Sequence, residues 1–324
     1  MKRFAKILAV IAAILAIAFL IFRVPDTDPD EMRAKYGAAP SQMVELPNGM
    51  AVHLRDEGPQ NGNPGAPAIV LLHGSNADLH TWQPWVEALR GEYRVIRYDQ
   101  RGHGLTGPAP DGTYTLDRFT ADLDAVADAM GLEQFVVAGN SMGGWIAAGY
   151  AIEHPDRLAG LVLVDASGAP IERDGPPPLG FRIAQTPVIR DLARHFMTRS
   201  IFERSLAQSV SNQAVVTDAE IDRYWELARY PGNPHATMQR FATPRQAFTA
   251  EEIEALDVPT LVMWGEEDAL IPLAAGRWYA EHLPNNSFIS YKGIGHIPQQ
   301  ENAAQSVDDL RLWLEQLTEL TPAG

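Results

Sequence analysis

The chain has 324 residues, long enough to bury a sizeable core, and its 46% hydrophobic and 21% charged residues are ordinary for a globular protein. A formal net charge of -15 argues against a nucleic-acid partner, because phosphate binding needs a basic face. With no cysteine there is no disulfide framework, no thiolate nucleophile and no cysteine metal site.

In chain order, "MKRFAK" is basic and is followed by an unbroken apolar run from Ile7 to Phe22. With Phe4 and Ala5 the run reaches about 19 residues, near the lower limit for crossing a bilayer. A retained membrane anchor over 1–23 is preferred to a cleaved signal peptide. Ala16 and Ala18 offer small-x-small spacing, but "FLIF" continues beyond them. Lys2, Arg3 and Lys6 precede the run, so the basic end should stay cytoplasmic and the rest lie outside, in the periplasm of a bacterium. The cleaved alternative would give a secreted or periplasmic protein. Residues 24–41, rich in proline and acidic groups, read as an exposed linker.

"MVELPNGMAVHLRDEG" carries two short alternating runs around Asn48-Gly49, a hairpin signal. Thereafter "AIVLLH", "YRVIRYD", "QFVVAGN", "LAGLVLVDA" and "PTLVMWG" are nearly continuous Val/Ile/Leu runs, as expected of strands covered on both faces. Helical patterns separate them over Trp82–Leu89, Leu116–Met130, Met142–Glu153 and Leu273–Leu283. This alternation predicts an α/β fold with a mostly parallel sheet wrapped by helices. "NSFISYK" adds a strand, and Ala303–Leu320 a closing amphipathic helix. The segment 169–248 breaks the rhythm. It has amphipathic helical pieces, proline breaks and ten arginines against eight acidic residues, and reads as a helical insertion between the two parts of the core, 42–168 and 249–324. Its apolar stripe is expected to pack on the sheet domain, and the arginines leave contact with lipid open as well.

Chemistry concentrates at "VVAGNSMGG", a G-x-S-x-G pattern with a strand before Ser141 and a helix after it. Such a turn pushes the serine hydroxyl out above the sheet and aims the amides of the new helix toward it. Serine is a weak nucleophile unless a base takes its proton. Of nine histidines, His296 in the glycine-rich loop "YKGIGHIPQQEN" is best placed as that base. His53, His80, His195, His235 and His282 read as surface or cap residues. A carboxylate must orient the base. Asp268, in "WGEEDALIP" just past a strand, is the first choice, Asp165 the second, and Asp99 more suited to tying its own loop. Donors for an oxyanion are expected from the backbone N–H groups of Met142 and Ser75, with Gly74 allowing close approach and His73 bracing that loop.

These residues resemble the α/β-hydrolase superfamily. "LLHGS", "YDQRGHGLT", "GNSMGG", "WGEEDALIP" and "GIGHIPQQEN" match its recurring motifs in order, over about 280 residues from Gln42. The resemblance implies an eight-stranded sheet with a helical cap inserted after strand six, and a triad in the chain order Ser141, Asp268, His296. Ser141 argues against the dehalogenases and epoxide hydrolases of the superfamily, which carry aspartate there. "GNSMGG" is similar to carbon–carbon bond hydrolases of ring-cleavage products, although "QRGHG" and Ile297 depart from their usual pattern. Haloperoxidases and perhydrolases share most of the motifs. The expectation is therefore a carboxylesterase acting on a small hydrophobic substrate, with no metal or organic cofactor implied. Gly74, Phe181, Phe196, Trp225 and Ile297 are candidates to line its substrate space, with Tyr230 adding to the apolar content of the cap. A ligand receptor on the same scaffold is the non-enzyme alternative.

Overall fold

The computed structural model describes residues 2–59, 67–171 and 179–320, and in the helix Leu179–Ala184 the side chain of Phe181 lies outside the described part. Eight strands form one sheet: β1 (Ser41–Glu45), β2 (Ala51–Glu57), β3 (Ala68–Leu72), β4 (Val95–Tyr98), β5 (Phe135–Asn140), β6 (Leu158–Val164), β7 (Thr260–Gly265) and β8 (Asn286–Tyr291). Their spatial order is β1-β2-β4-β3-β5-β6-β7-β8. The first hairpin pairs antiparallel, as does β2 with β4, and all the other pairs are parallel. Gly49, at φ +80°, closes the β1–β2 turn that the Asn-Gly signal predicts.

The continuous apolar runs are strands buried on both faces. In β3, Val70 and Leu72 enter the core on one side while Ile69 and Leu71 enter the core on the other. In β5, Phe135 and Val137 alternate with Val136 and Ala138 in the same way. Burying one such side chain contributes about 1.5–3 kcal/mol, so the central strands fix the register on which the loops at their C-terminal ends depend. The helix Ala303–Leu320 covers one face through Leu310, Trp313 and Leu314, and Met142–Glu153 covers the other.

Between β6 and β7 the described chain is helical, from Leu179–Ala184 to Ala250–Glu254. It forms the cap. The segment expected to be an exposed linker is instead ordered against this cap. Asp28 caps a helix over Pro29–Tyr36, accepting from the N–H groups of Asp30 and Glu31. Met32 and Tyr36, four residues apart, are buried with Leu105, Leu227 and Tyr230. The Thr27 N–H donates to the Arg229 carbonyl, and the Tyr36 hydroxyl donates to Glu226 at 2.6 Å. A one-sided apolar pair and a good N-cap outweigh the proline and acidic content that suggested disorder. Ahead of it, Arg3–Phe22 is a single helix long and apolar enough to cross a membrane, with none of its side chains packed in the interior.

Candidate active site

β5 runs into the helix Met142–Glu153 through Ser141, whose backbone sits at φ +56°, ψ -115°. A side-chain-bearing residue held there costs about 1–3 kcal/mol. The surroundings enforce it. The Ser141 N–H donates to the Val164 carbonyl, and the Ser141 carbonyl accepts from the N–H groups of Trp145 and Ser167. The glycines answer to crowding, since a Cβ at Gly139 would run into the Gly143 carbonyl and one at Gly143 into the Leu72 carbonyl. Met142 opens the helix, so its N–H has no intrahelical acceptor.

The other strand ends bring the partners. His296 Nδ1 lies 2.7 Å from Asp268 Oδ2, and Asp268 Oδ1 accepts from the N–H groups of Leu270 and Ile271 at 2.7 and 3.0 Å. The carboxylate fixes the tautomer with the proton on Nδ1, leaving the lone pair on Nε2. Asn140, the residue before the elbow, donates from Nδ2 to the His296 carbonyl at 3.0 Å and so ties the histidine loop to the serine turn. Asp165 sits beside the same pair. Its Oδ1 accepts from the Gly265 N–H at 2.9 Å, and burial together with the neighbouring Asp268 carboxylate pushes its own carboxyl well above the ordinary range. Asp165, Asp268 and His296 offer donor atoms all within 4.8 Å of one another, the one such cluster among the described residues. The short bond between His296 Nδ1 and Asp268 Oδ2 joins two members of that cluster directly.

Gly74 lies against the elbow, where a Cβ would meet Ser141 Cβ at 3.2 Å and Asn140 Oδ1 at 3.1 Å. His73 braces the loop as expected. Its Nε2 accepts from the Gln100 N–H at 3.0 Å, which leaves the proton on Nδ1 for the Gly74 carbonyl at 2.8 Å. Burial holds this ring neutral by lowering its pKa. Ser75 Oγ accepts from Arg240 Nη1 at 2.8 Å, and Arg240 Nη2 donates to Asn76 Oδ1 and Thr237 Oγ1. Asp99 does tie its own loop, accepting from the N–H groups of Leu79 and Leu105 at 2.8 Å.

The residues expected to line the substrate space have partners of their own. Phe196 turns its ring to Phe19 of the N-terminal helix, 5.8 Å between centroids. Trp225 donates from Nε1 to the Met197 carbonyl and stacks under the Arg229 guanidinium at 3.8 Å. Phe196 thus packs on the N-terminal helix, and Trp225 packs within the cap. Tyr230 belongs to the cluster with Met32 and Tyr36. Ile297 is buried with Leu206, Val210 and Ile221 and seats the cap on the histidine loop. Phe181 lies outside the described side chains. His53 is buried rather than exposed, its Nδ1 2.7 Å from Asp99 Oδ2 and its Nε2 2.9 Å from Ser41 Oγ.

Sequence reasoning missed Glu301. Its Oε1 accepts from the N–H groups of Ser211 and Asn212 in the cap at 3.0 and 2.9 Å, and its carboxylate also takes the Gly295 N–H at 3.2 Å. The His296 N–H donates to the Ser209 carbonyl at 2.7 Å. The cap is thus bonded directly to the loop that carries the histidine.

A family model described as alpha/beta hydrolase fold matches residues 67–303. The chain belongs to the α/β-hydrolase family. It is 30% identical over 280 residues to a 2-hydroxymuconate semialdehyde hydrolase of Pseudomonas putida, spanning 82% of this chain and 92% of that one. It is 27% identical to a bifunctional esterase/perhydrolase of Acinetobacter calcoaceticus, over 78% of this chain and 92% of the other. The solved structure of a membrane phospholipase A superposes with a TM-score of 0.71 at 22% identity, covering 98% of this chain and 99% of its own, a likeness of fold.

Proposed function

We propose that this hydrolase cleaves carboxylic esters through an acyl-enzyme. Ser141 Oγ attacks the ester carbonyl while His296 Nε2 takes its proton. Asp268 stabilises the imidazolium, and the N–H groups of Ser75 and Met142 hold the oxyanion. His296 then gives its proton to the departing alcohol. Water, activated by the same histidine, cleaves the acyl-serine bond and restores the hydroxyl. The carrying observation is the 2.7 Å bond from His296 to Asp268, in a loop that Asn140 ties to the turn of a serine held at positive φ. Its test is Ser141→Ala in the full chain. Hydrolysis of p-nitrophenyl esters is expected to fall by about 10⁴-fold or more, and labelling by a fluorophosphonate probe to vanish. Turnover or labelling that survives the substitution refutes the assignment.

A second reading, carbon–carbon bond hydrolysis of an acidic ring-cleavage product, is favoured by two arginines. Among the described residues neither Arg240 nor Arg245 has a carboxylate within ion-pair distance. Burial lowers the first to about 9 and the second to about 10, and both remain charged at neutral pH. Arg240 holds the Ser75 loop, and Arg245 lies 5.6 Å from the ring of Trp145, four residues beyond the serine. A substrate anion would supply the missing counter-charge. Neutral esters, acidic half-esters and a dienoate diketone compared side by side separate the readings. A clear preference for the diketone replaces the ester assignment.

The placement that goes with the first reading is a domain held at a bilayer, the helix Arg3–Phe22 serving as its anchor and the catalytic part lying outside the cytoplasm. A small hydrophobic substrate that partitions into lipid suits that position.

A further inference from the structure

The cap helix Pro187–Ala193 presents apolar side chains to solvent. Val188 is 81% exposed, and Ile189 and Leu192 are each 52% exposed. At spacings of one, three and four residues they share one face of the helix. A contiguous exposed apolar face on an otherwise well-covered domain marks an interaction surface.

Its neighbour shows what covers it. The helix is followed at once by Arg194, His195 and Phe196, and the last two meet the N-terminal helix. The rings of His195 and Phe196 lie 5.4 and 5.8 Å from that of Phe19, edge to face, and the Val24 N–H donates to the His195 carbonyl at 2.7 Å. The 20 residues Arg3–Phe22 make a helix of about 30 Å, the thickness of a hydrocarbon core. Phe19 is three residues from its end, so it lies about 5 Å inside the boundary. The cap residues that touch Phe19 are then at the level of the boundary, and the apolar face begins three residues before them. Pro25, Asp26 and Thr27 are bonded to Arg229 and Gly232 of the cap, so the domain is held to the helix end by its own backbone rather than swinging on a slack chain.

We infer that the helix Pro187–Ala193 is embedded in the lipid–water boundary of the bilayer that the N-terminal helix spans, with Val188, Ile189 and Leu192 among the acyl chains. This rests on the reading of Arg3–Phe22 as a retained anchor. The cap then forms part of the membrane-contacting surface, and substrate dissolved in lipid meets the protein at the cap.

The absence of native cysteine makes the test clean. Single cysteines replace Val188, Leu192, Leu15 within the N-terminal helix, and Asp257, an exposed residue just before β7 at the opposite end of that strand from the site. Each full-length variant carries a nitroxide label and is reconstituted in vesicles of phosphatidylethanolamine and phosphatidylglycerol. Collision with oxygen, which concentrates in lipid, is compared with collision with a water-soluble nickel chelate. The expected result is that oxygen dominates at positions 15, 188 and 192 and the chelate at 257. If 15 is in lipid while 188 and 192 report water, the inference is overturned and the anchor stands. If 188 and 192 are shielded from both reagents, a protein contact covers the face and the inference is again overturned. If 15 reports water, the anchor reading fails and the inference fails with it.

Discussion

Removing the Glu301 carboxylate tests whether the cap and the catalytic loop are one mechanical unit. In Glu301→Ala three backbone N–H groups lose their acceptor: Gly295, which is buried, and Ser211 and Asn212, which water reaches in part. A buried donor left unsatisfied costs about 1–3 kcal/mol, and the two others about 1 kcal/mol each once hydrated. The sum is about 3–5 kcal/mol, a large share of the 5–15 kcal/mol typical of a folded protein. Glu301→Gln keeps one carbonyl oxygen for the cap and turns an amide toward Gly295, so it is expected to cost about 1–2 kcal/mol and to fold. Gly295 adjoins His296, and a displacement of about 1 Å at a catalytic group lowers turnover by as much as 10²-fold. Glu301→Gln should therefore lower kcat on p-nitrophenyl butyrate by roughly 10- to 100-fold with KM changed little. Urea unfolding followed by tryptophan fluorescence, alongside steady-state kinetics, measures both effects. An alanine variant within about 1 kcal/mol of the parent and with its kcat intact would show the seam to be incidental.

Asp165→Asn is expected to keep activity, since asparagine can accept from the Gly265 N–H and donate to Asp268 as the neutral acid does. Because the folded pKa of Asp165 is raised, the folded chain holds a proton that the unfolded chain releases above about pH 3.9, so the parent loses stability as pH rises from there toward the folded value. The variant should gain on the parent as pH rises above about 4 in urea titrations, and a gain independent of pH would refute a neutral Asp165. Ser41→Ala should leave ester turnover within about twofold while costing about 1 kcal/mol of stability, and a large fall in kcat would mean that a second nucleophile operates. Gly295→Ala would bring a Cβ to 2.7 Å from the Ser209 carbonyl oxygen and 2.9 Å from Val210 Cα. It should raise the sensitivity of the cap to limited proteolysis, and an unchanged digestion pattern would count against tight docking there.

What was legible in the sequence was what local pattern encodes. Buried parallel strands declare themselves by unbroken apolar runs, and the serine turn by glycines that no other residue could replace. Asp268 and His296 could be singled out because each stands in a loop directly after a strand, the buried β7 and the edge strand β8, at the end of the sheet where the serine turn emerges. Met32 and Tyr36 were readable in principle, four residues apart behind Asp28 and Pro29, but composition pointed the other way. Glu301 had no local signal, because its cap partners lie about 90 residues earlier in the chain. The packing of Phe196 and Trp225 was not legible for a related reason. Aromatic content in the cap says that rings are buried there, but not which surface they bury.

The fold also contains a hydrogen-bonded Ser–His–Asp chain away from the candidate site, and comparing the two places shows what a triad requires beyond its hydrogen bonds. Ser41, His53 and Asp99 are spaced at 2.9 and 2.7 Å, and the histidine–carboxylate distance equals that between His296 and Asp268. Yet Ser41 Oγ also accepts from Arg55 Nε at 2.8 Å, which stabilises its lone pair where a nucleophile needs that pair free. Ser41 lies on β1, the edge strand, with its N–H bonded to the Ala38 carbonyl, so its own amide is already engaged and no helix starts beside it. Ser141 stands at a strained turn with a helix opening at its back and a glycine loop packed against its Cβ. The bond from histidine to aspartate is therefore common to a structural clamp and a candidate engine. What sets the candidate engine apart is a serine at a positive-φ strand-to-helix turn, the arrangement that a nucleophile and an oxyanion site both call for.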